Sequence, residues 1–308
     1  MAADYLITGA GGRLGRAFSE VLGRRAVSLK HGELDISDAD AVRRALEGIK
    51  PKLVINAAAW TDVSGAETHR RDAYRINAHG VGILAREAAV RDVALLHFST
   101  DYVFSGEGGE PWRESDRPDP AGIYGMSKLE GENYFFRSGV RGAVVRVGWL
   151  HSGERDFVEA ILSRAMSGAD LTVVDNQVGT PSSAAALARW AARALPALTA
   201  SRHALLRHYR EAGGYISRYD FAAYILTRAQ ALLSARGMHD EASAMSNARA
   251  NMGHAKLAPG IRPLNCRLGV GDPAPFSEPE NWKRAVDKSV ENVKGLFSGL
   301  WISHFDRR

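Results

Sequence analysis

The chain has 308 residues, 45% of them hydrophobic and 24% charged, with 40 basic against 35 acidic side chains and a net charge of +5. A chain of this length buries roughly three quarters of its surface and needs no covalent staples, and its one cysteine, Cys266, excludes an internal disulfide and a thiolate metal cluster. The basic residues are scattered, not gathered into a tract with interleaved aromatics, so the balance points away from nucleic acid and towards anionic small molecules.

Tyr5-Leu6-Ile7 reads as a first strand and Leu14 to Leu22 as a helix, joined by a glycine-rich turn. Ala26 to Leu29 is a second strand. Ala39 to Ile49 is an amphipathic helix with Val42, Leu46 and Ile49 on one face. Leu53 to Asn56 is a third strand, Tyr74 to Val90 a long helix, Ala94 to Phe98 a fourth strand, Tyr124 to Phe136 a helix and Ala143 to Arg146 a further strand. Strands and helices alternating at this spacing predict an α/β fold with a doubly wound parallel sheet, Rossmann-like, covered on both faces. After Trp149 the rhythm changes. Phe157 to Met166 is a helix, Leu171 to Val174 a strand, and Ser182 to Leu195 and Asp220 to Leu233 are helices. Residues 236–258 are polar, rich in small side chains and without period, and read as a loop or a partly ordered insertion. The expected organisation is a dinucleotide-binding domain over 1–150, to which elements from about 180–235 return. A smaller, mostly C-terminal substrate-binding region spans 151–308, chiefly 151–180 and 236–308. No apolar run reaches 18 residues, so no membrane partner is expected. Met1-Ala2-Ala3-Asp4-Tyr5 runs straight into a strand without a basic and apolar leader, which gives a cytoplasmic expectation.

Three motifs carry chemistry. Thr8-Gly9-Ala10-Gly11-Gly12-Arg13-Leu14-Gly15 follows a strand and opens a helix, the setting a dinucleotide-binding turn requires. Gly9, Gly11 and Gly12 let the backbone approach a pyrophosphate, and the helix N-terminus offers free N–H groups to it. A flexible turn would carry the same letters. Tyr124-Gly125-Met126-Ser127-Lys128 places a phenol and an ammonium four apart on one helix face. The ammonium can lower the phenol's pKa and hold the nicotinamide ribose; an amphipathic helix with a snorkelling lysine is the plain alternative. Thr100, in Ser99-Thr100-Asp101, stands at the carboxyl end of the fourth strand, where α/β sheets place ligands. Its hydroxyl can bond a carbonyl under reduction, or cap the strand end. Asn56-Ala57-Ala58-Ala59 would let a cofactor lie against the backbone or serve packing. Asp35-Ile36 would touch an adenine, or Asp35 would cap a turn.

The second strand runs into Lys30 and His31 with no carboxylate until Glu33, and Arg13 lies in the turn. NAD-specific sites carry an acid there, so NADPH is expected, with NADH admissible; Arg13 and Lys30 as solvated surface charges is the other reading. The ten histidines are dispersed, so no metal is expected, and His203 and His208 read as surface residues.

The run Phe98 to Phe104, with Pro111-Trp112, Glu114-Ser115-Asp116, Pro120, Tyr124 to Lys128 and Gly131-Glu132, closely resembles the dTDP-4-dehydrorhamnose reductase family. So do Val54 to Ala59 with Thr61, Ala66-Glu67, Ile76-Asn77, Gln177 to Pro181 and Arg262 to Asn265. The resemblance implies a catalytic trio of Thr100, Tyr124 and Lys128. It implies cofactor contacts from Gly12, Arg13, Leu14, Asp35, Ile36, Ala57, Ala58 and Ala59, and substrate contacts from Thr100, Asp101 and Trp149. It implies NAD(P)H-dependent reduction of the C4 keto group of dTDP-4-dehydro-L-rhamnose to dTDP-L-rhamnose, and leaves a homodimer open. The alternatives are another nucleotide-sugar reductase or epimerase, or a non-catalytic NAD(P)-binding subunit resembling the methionine adenosyltransferase β subunit. The chain departs from the family pattern at Gly148, Asn176, Cys266 and Ser64, and in the length of 236–258.

Overall fold

The computed structural model describes residues 3–258, 260–271, 274–293 and 296. The chain forms two compact units. The first comprises 1–148, 184–210 and 259–279, and the second 149–183, 211–258 and 280–308.

The first unit is built on six parallel strands: β1 (Tyr5–Thr8), β2 (Ala26–Leu29), β3 (Leu53–Asn56), β4 (Ala94–Thr100), β5 (Gly142–Val147) and β6 (Ala204–Tyr209). Their order is β6-β5-β4-β3-β1-β2. β1, β3 and β4 are buried along their whole length, because helices cover both faces. Leu6, Val54, Leu95 and Val144 join Ile36, Leu84 and Phe135 in one apolar cluster. The chain leaves β1 for β2 on one side and returns to β3 on the other. Between β1 and β3, therefore, lies the switch point at which open α/β sheets receive ligands.

The expected long helix Tyr74 to Val90 starts earlier and is not uniform. Helical backbone runs from Arg70 to Ala89 with a π-helical stretch over Arg75–Gly80. Such stretches are often found at functional sites, and this one turns Asn77 inwards, 1% exposed. His208, expected at the surface, is 3% exposed. β6 is an edge strand, but Gly269, more than sixty residues further along, covers it and takes a hydrogen bond from His208 Nδ1 at 2.9 Å.

In the second unit the helices Phe157–Met166 and His239–Ala250 both pack on the helix Arg218–Ser234, as does Trp282–Glu291. Val178–Gly179 pairs antiparallel with Ile216–Ser217. The reading of 236–258 as a loop is overturned. This segment forms the helix His239–Ala250 and the strand Gly253–Ala255, which pairs parallel with Thr172–Val174. The helix buries only Ala242 and Met245, so it leaves no apolar period in the sequence. Residues 180–183 and 211–235, expected to return to the dinucleotide-binding domain with 184–210, lie in the second unit, and 260–271 and 274–279, expected in the substrate-binding region, lie in the first. Among the described residues no helix is long and apolar enough to cross a membrane.

Candidate active site

The turn after β1 is shaped by close approach. Gly9 has φ +67°, and a Cβ there would lie 2.5 Å from the backbone nitrogen of Ala58, so only glycine lets the turns after β1 and β3 meet. Gly11 and Gly12 are exposed, and Gly12 precedes α1 (Arg13–Leu22) without a side-chain cap. The first turn of α1 holds no acidic residue, so its N-terminus keeps its affinity for an anion. Leu14 faces the core, while Arg13, Ala57, Ala58 and Ala59 are half-buried around the turn. An uncapped helix start, a glycine cradle and small side chains at the switch point fit a dinucleotide. Asp35 and Ile36 have structural partners. Ile36 is buried in the core cluster. Asp35 accepts from the Ser37 backbone at 2.9 Å and pairs with Arg75 at 3.1 Å. Burial raises its pKa, but the Ser37 bonds and Arg75 outweigh that and hold the carboxyl below its ordinary value.

A buried polar chain runs beneath this turn. Thr8 Oγ1 donates to Asn56 Oδ1 at 2.7 Å, as does the Ala58 N–H at 3.2 Å, so the Asn56 amide must donate from Nδ2 to His97 Nδ1, 3.1 Å away. His97 is fully buried, and burial, followed by the nearby Lys128, holds its pKa well below the ordinary value. Asn77 is a second clamp. It accepts from Trp60 N at 2.9 Å and donates to Trp60 O at 3.0 Å and to Ser127 Oγ at 3.1 Å. It thereby ties the loop after β3 to the helix Ile123–Arg137. A Cβ at Gly131 would lie 2.1 Å from the Asn77 carbonyl, so this helix and the π-helical stretch touch backbone to backbone. The sequence reading missed His97 and the use of Asn77. Its available signal was a polar residue inside an otherwise apolar strand.

Thr100, Tyr124 and Lys128 come together in the first unit. Thr100 ends β4, 5% exposed, and gives its proton to Asp101 Oδ1 at 2.9 Å. Its oxygen accepts from Tyr102 N at 3.2 Å and lies close enough to the Tyr124 hydroxyl to act on its pKa. Tyr124 packs edge-on against Tyr102, ring centroids 5.7 Å apart. Lys128 does not snorkel: it is 2% exposed, and its ammonium donates to Phe98 O at 2.6 Å. Burial pulls its pKa down to about 8, against a raising effect from Glu132. The expectation that the phenol is tuned downwards is corrected. Burial and then Asp101 push Tyr124 above its ordinary value, and Thr100 and Arg13 only partly offset them. The phenol therefore holds its proton, the form a proton donor needs.

Trp149 belongs to the second unit. It adopts φ +41° and lies under the Arg218 guanidinium, 3.7 Å from its ring centroid, beside Phe221. Among the described residues no three of His, Cys, Asp or Glu gather as a metal site would need.

The model of the family described as RmlD substrate binding domain matches residues 3–294. The chain belongs to this family. A dTDP-4-dehydrorhamnose reductase from Aggregatibacter actinomycetemcomitans is 40% identical over 185 residues, 58% of this chain and 63% of that relative's length. One from Streptomyces griseus is 38% identical over 216 residues, 68% of this chain and 71% of its own length. The crystal structure of dTDP-4-dehydrorhamnose reductase from Bacillus anthracis in complex with NADP superposes with a TM-score of 0.80 at 26% identity, covering 94% of this chain and 97% of that one. The Clostridium acetobutylicum enzyme does so with 0.81 at 29%, covering 93% and 98%. The resemblance read from the motifs and the α/β fold class are both borne out.

Within the RmlD family frame, three departures have local reasons. Asn176 exchanges both of its amide bonds with the Leu257 backbone, at 2.9 and 2.8 Å, and an aspartate could not donate to that carbonyl. Ser64 accepts from Arg262 at 3.1 Å. At Gly148 a Cβ would sit 3.1 Å from Asp101 Oδ2, so serine there would crowd the carboxylate. Nothing in the structure explains Cys266, which is buried.

Proposed function

We propose that the chain is an NADPH-dependent oxidoreductase that reduces the C4 keto group of dTDP-4-dehydro-L-rhamnose to dTDP-L-rhamnose, working in the cytoplasm on a small-molecule nucleotide sugar. The observation that carries this reading is the grouping of Thr100, protonated Tyr124 and buried Lys128 at the carboxyl end of β4, in a chain of this family. NADPH, when bound, supplies the hydride to C4. The α1 N-terminus with Gly11 and Gly12 would hold its pyrophosphate, Arg13 would reach its 2′-phosphate, Ala57 to Ala59 would line its path, and Lys128 would hold the ribose. The substrate carbonyl oxygen takes two donors, Thr100 and Tyr124. Thr100 turns its proton from Asp101 to that oxygen, and Tyr124 transfers its own, giving the alcohol and leaving a phenolate for Lys128 to steady. Asp101 and Trp149 are the proposed substrate contacts, the indole packing on the apolar face of the sugar.

Loss of NADPH absorbance with the dTDP-4-keto-sugar, with the product identified as dTDP-L-rhamnose, tests the reading. Turnover with a different keto-sugar nucleotide alone would move the chain to the wider reductase class. Cofactor binding without turnover on any of them would make it a binding protein. Lys30 and His31 follow β2 where an NAD-selective site carries an acid, so kcat/KM is higher with NADPH than with NADH, and Arg13→Ala narrows the gap. A wild-type preference for NADH refutes the charge argument.

A further inference from the structure

The helix Ile123–Arg137 carries a third polar residue in register with Tyr124 and Lys128. Glu132 lies one turn beyond Lys128, where residues four apart are neighbours, and is 2% exposed. Its carboxylate is gripped in a fork by Arg146 on β5, with Nη2 to Oε2 at 2.6 Å and Nε to Oε1 at 3.0 Å. The sheet register explains the fit. Ser99 of β4 stands opposite Arg146 of β5, and the next residue back, Phe98, accepts the Lys128 bond. Two buried polar residues one turn apart on one helix are thus pinned to neighbouring positions on two adjacent strands. Arg146 is itself held. Its guanidinium lies 5.0 Å from the Phe104 ring centroid, and Nη1 reaches His208 Nε2 at 3.5 Å. His208 Nδ1 donates to the Gly269 carbonyl, so Nε2 is the accepting nitrogen.

A buried ion pair contributes little net stability, and apolar residues of the same volume often replace one without loss. Fold stability therefore does not account for this pair, while its place beside Lys128 does. We propose that Glu132, held by Arg146, is a positioning residue for Lys128, fixing the ammonium and its charge at the floor of the site. The groups that face Lys128 are Tyr124 and Glu132 on its own helix and His97 on β4, with Arg146 and His208 behind Glu132. His97 and His208 are both held neutral by burial, His208 with its pKa near 4. Arg146 is spoken for by the fork. Glu132 is then the anion that opposes the loss of the lysine's proton on burial.

The proposal rests on reading Lys128 as the lysine of the catalytic pair, but its test needs neither substrate nor cofactor. The probe is the whole protein with ε-13C-labelled lysine, the Lys128 signal being assigned by its absence in Lys128→Arg and followed by NMR against pH. The wild type should titrate near pH 8. Glu132→Gln alone strands a buried guanidinium and can unfold the chain, so the variant is Glu132→Gln with Arg146→Met. Its Lys128 should titrate about one pH unit lower. Glu132→Asp keeps both charges but draws the carboxylate back, and should give a smaller shift in the same direction. An unchanged Lys128 midpoint in either folded variant overturns the proposal, because a merely structural role would alter melting temperature and leave that midpoint in place. Absence of NADPH oxidation in the wild type would instead count against the reductase reading, with the titration result standing.

Discussion

The helices Ile123–Arg137 and His239–Ala250 share a weak apolar stripe but are held in different ways. The first buries Lys128 and Glu132, each bonded to a strand, and lays Gly131 against backbone. The second buries Ala242 and Met245 and relies on small residues packing closely on the helix Arg218–Ser234. Polar anchors fix direction and register at some expense of stability, and apolar contact gives stability with looser register. The helix that carries the candidate chemistry is the one built for placement. The contrast predicts that removing the reacting hydroxyl of the first helix should change rate more than stability, and truncating a buried side chain of the second the reverse.

The largest expected effect is Tyr124→Phe, which removes the proton donor and keeps the ring against Tyr102. The value of kcat should fall by about 10²–10⁴-fold with the melting temperature and NADPH affinity nearly unchanged; near-native turnover would remove Tyr124 from the mechanism. Met245→Ala is the counterpart. Met245 is fully buried, and truncating such a side chain destabilises by about 2–5 kcal/mol. Denaturant unfolding should show that loss while kcat of the folded fraction stays constant, and a drop in kcat would couple the helix to the chemistry.

Lys128→Met should stabilise the protein as it weakens cofactor binding, which a structural lysine would not do. The folded value near 8 lies below the ordinary 10.5. Below pH 8 the folded chain carries a buried charge, and between the two values only the unfolded chain keeps the proton, so wild-type stability rises with pH across that window. The variant should therefore gain about 3 kcal/mol at pH 7 and lose that advantage towards pH 10. A variant less stable than wild type at pH 7 would show the ammonium to be a net stabiliser. The smallest effect is expected for Asn176→Asp, which can still accept from Leu257 N but cannot donate to its carbonyl. It should destabilise by about 1 kcal/mol, seen as faster hydrogen exchange in the Gly253–Ala255 strand, and unaltered exchange there would show the pair to be incidental.

The first five strands of the parallel sheet and the glycine turn were legible because their signals are local, whereas the edge strand β6, only half-buried over Ala204 to Arg207, was not read. Leu53 to Ile55 is apolar throughout, and a strand followed by Gly9, Gly11 and Gly12 has few other uses. Lys128 was legible as a candidate, but its burial was not, since the bond to Phe98 O depends on how a helix lies over a strand thirty residues earlier. The burial of His208 depends on Gly269 and that of Asn77 on a π-helical stretch, and neither leaves a mark in the letters around the residue. The helix His239–Ala250 escaped for the opposite reason. Alanine fits a packed helix as well as it fits a loop, so a segment that buries only Ala242 and Met245 carries no period to read.

The chain passes between its two units at five places, after residues 148, 183, 210, 258 and 279. During synthesis, β1 to β5 leave the ribosome with the edge of β5 uncovered, because β6 follows only after 149–183 and the helix Ala184–Ala200. The nascent sheet must wait with an exposed hydrogen-bonding edge, the kind of surface that recruits other strands. A fragment ending near residue 150 would keep the glycine turn, Thr100, Tyr124 and Lys128, yet present that open edge permanently. Such a fragment should collect as aggregate when expressed alone, and should stay in solution when residues 184–210 are joined behind β5 through a short linker.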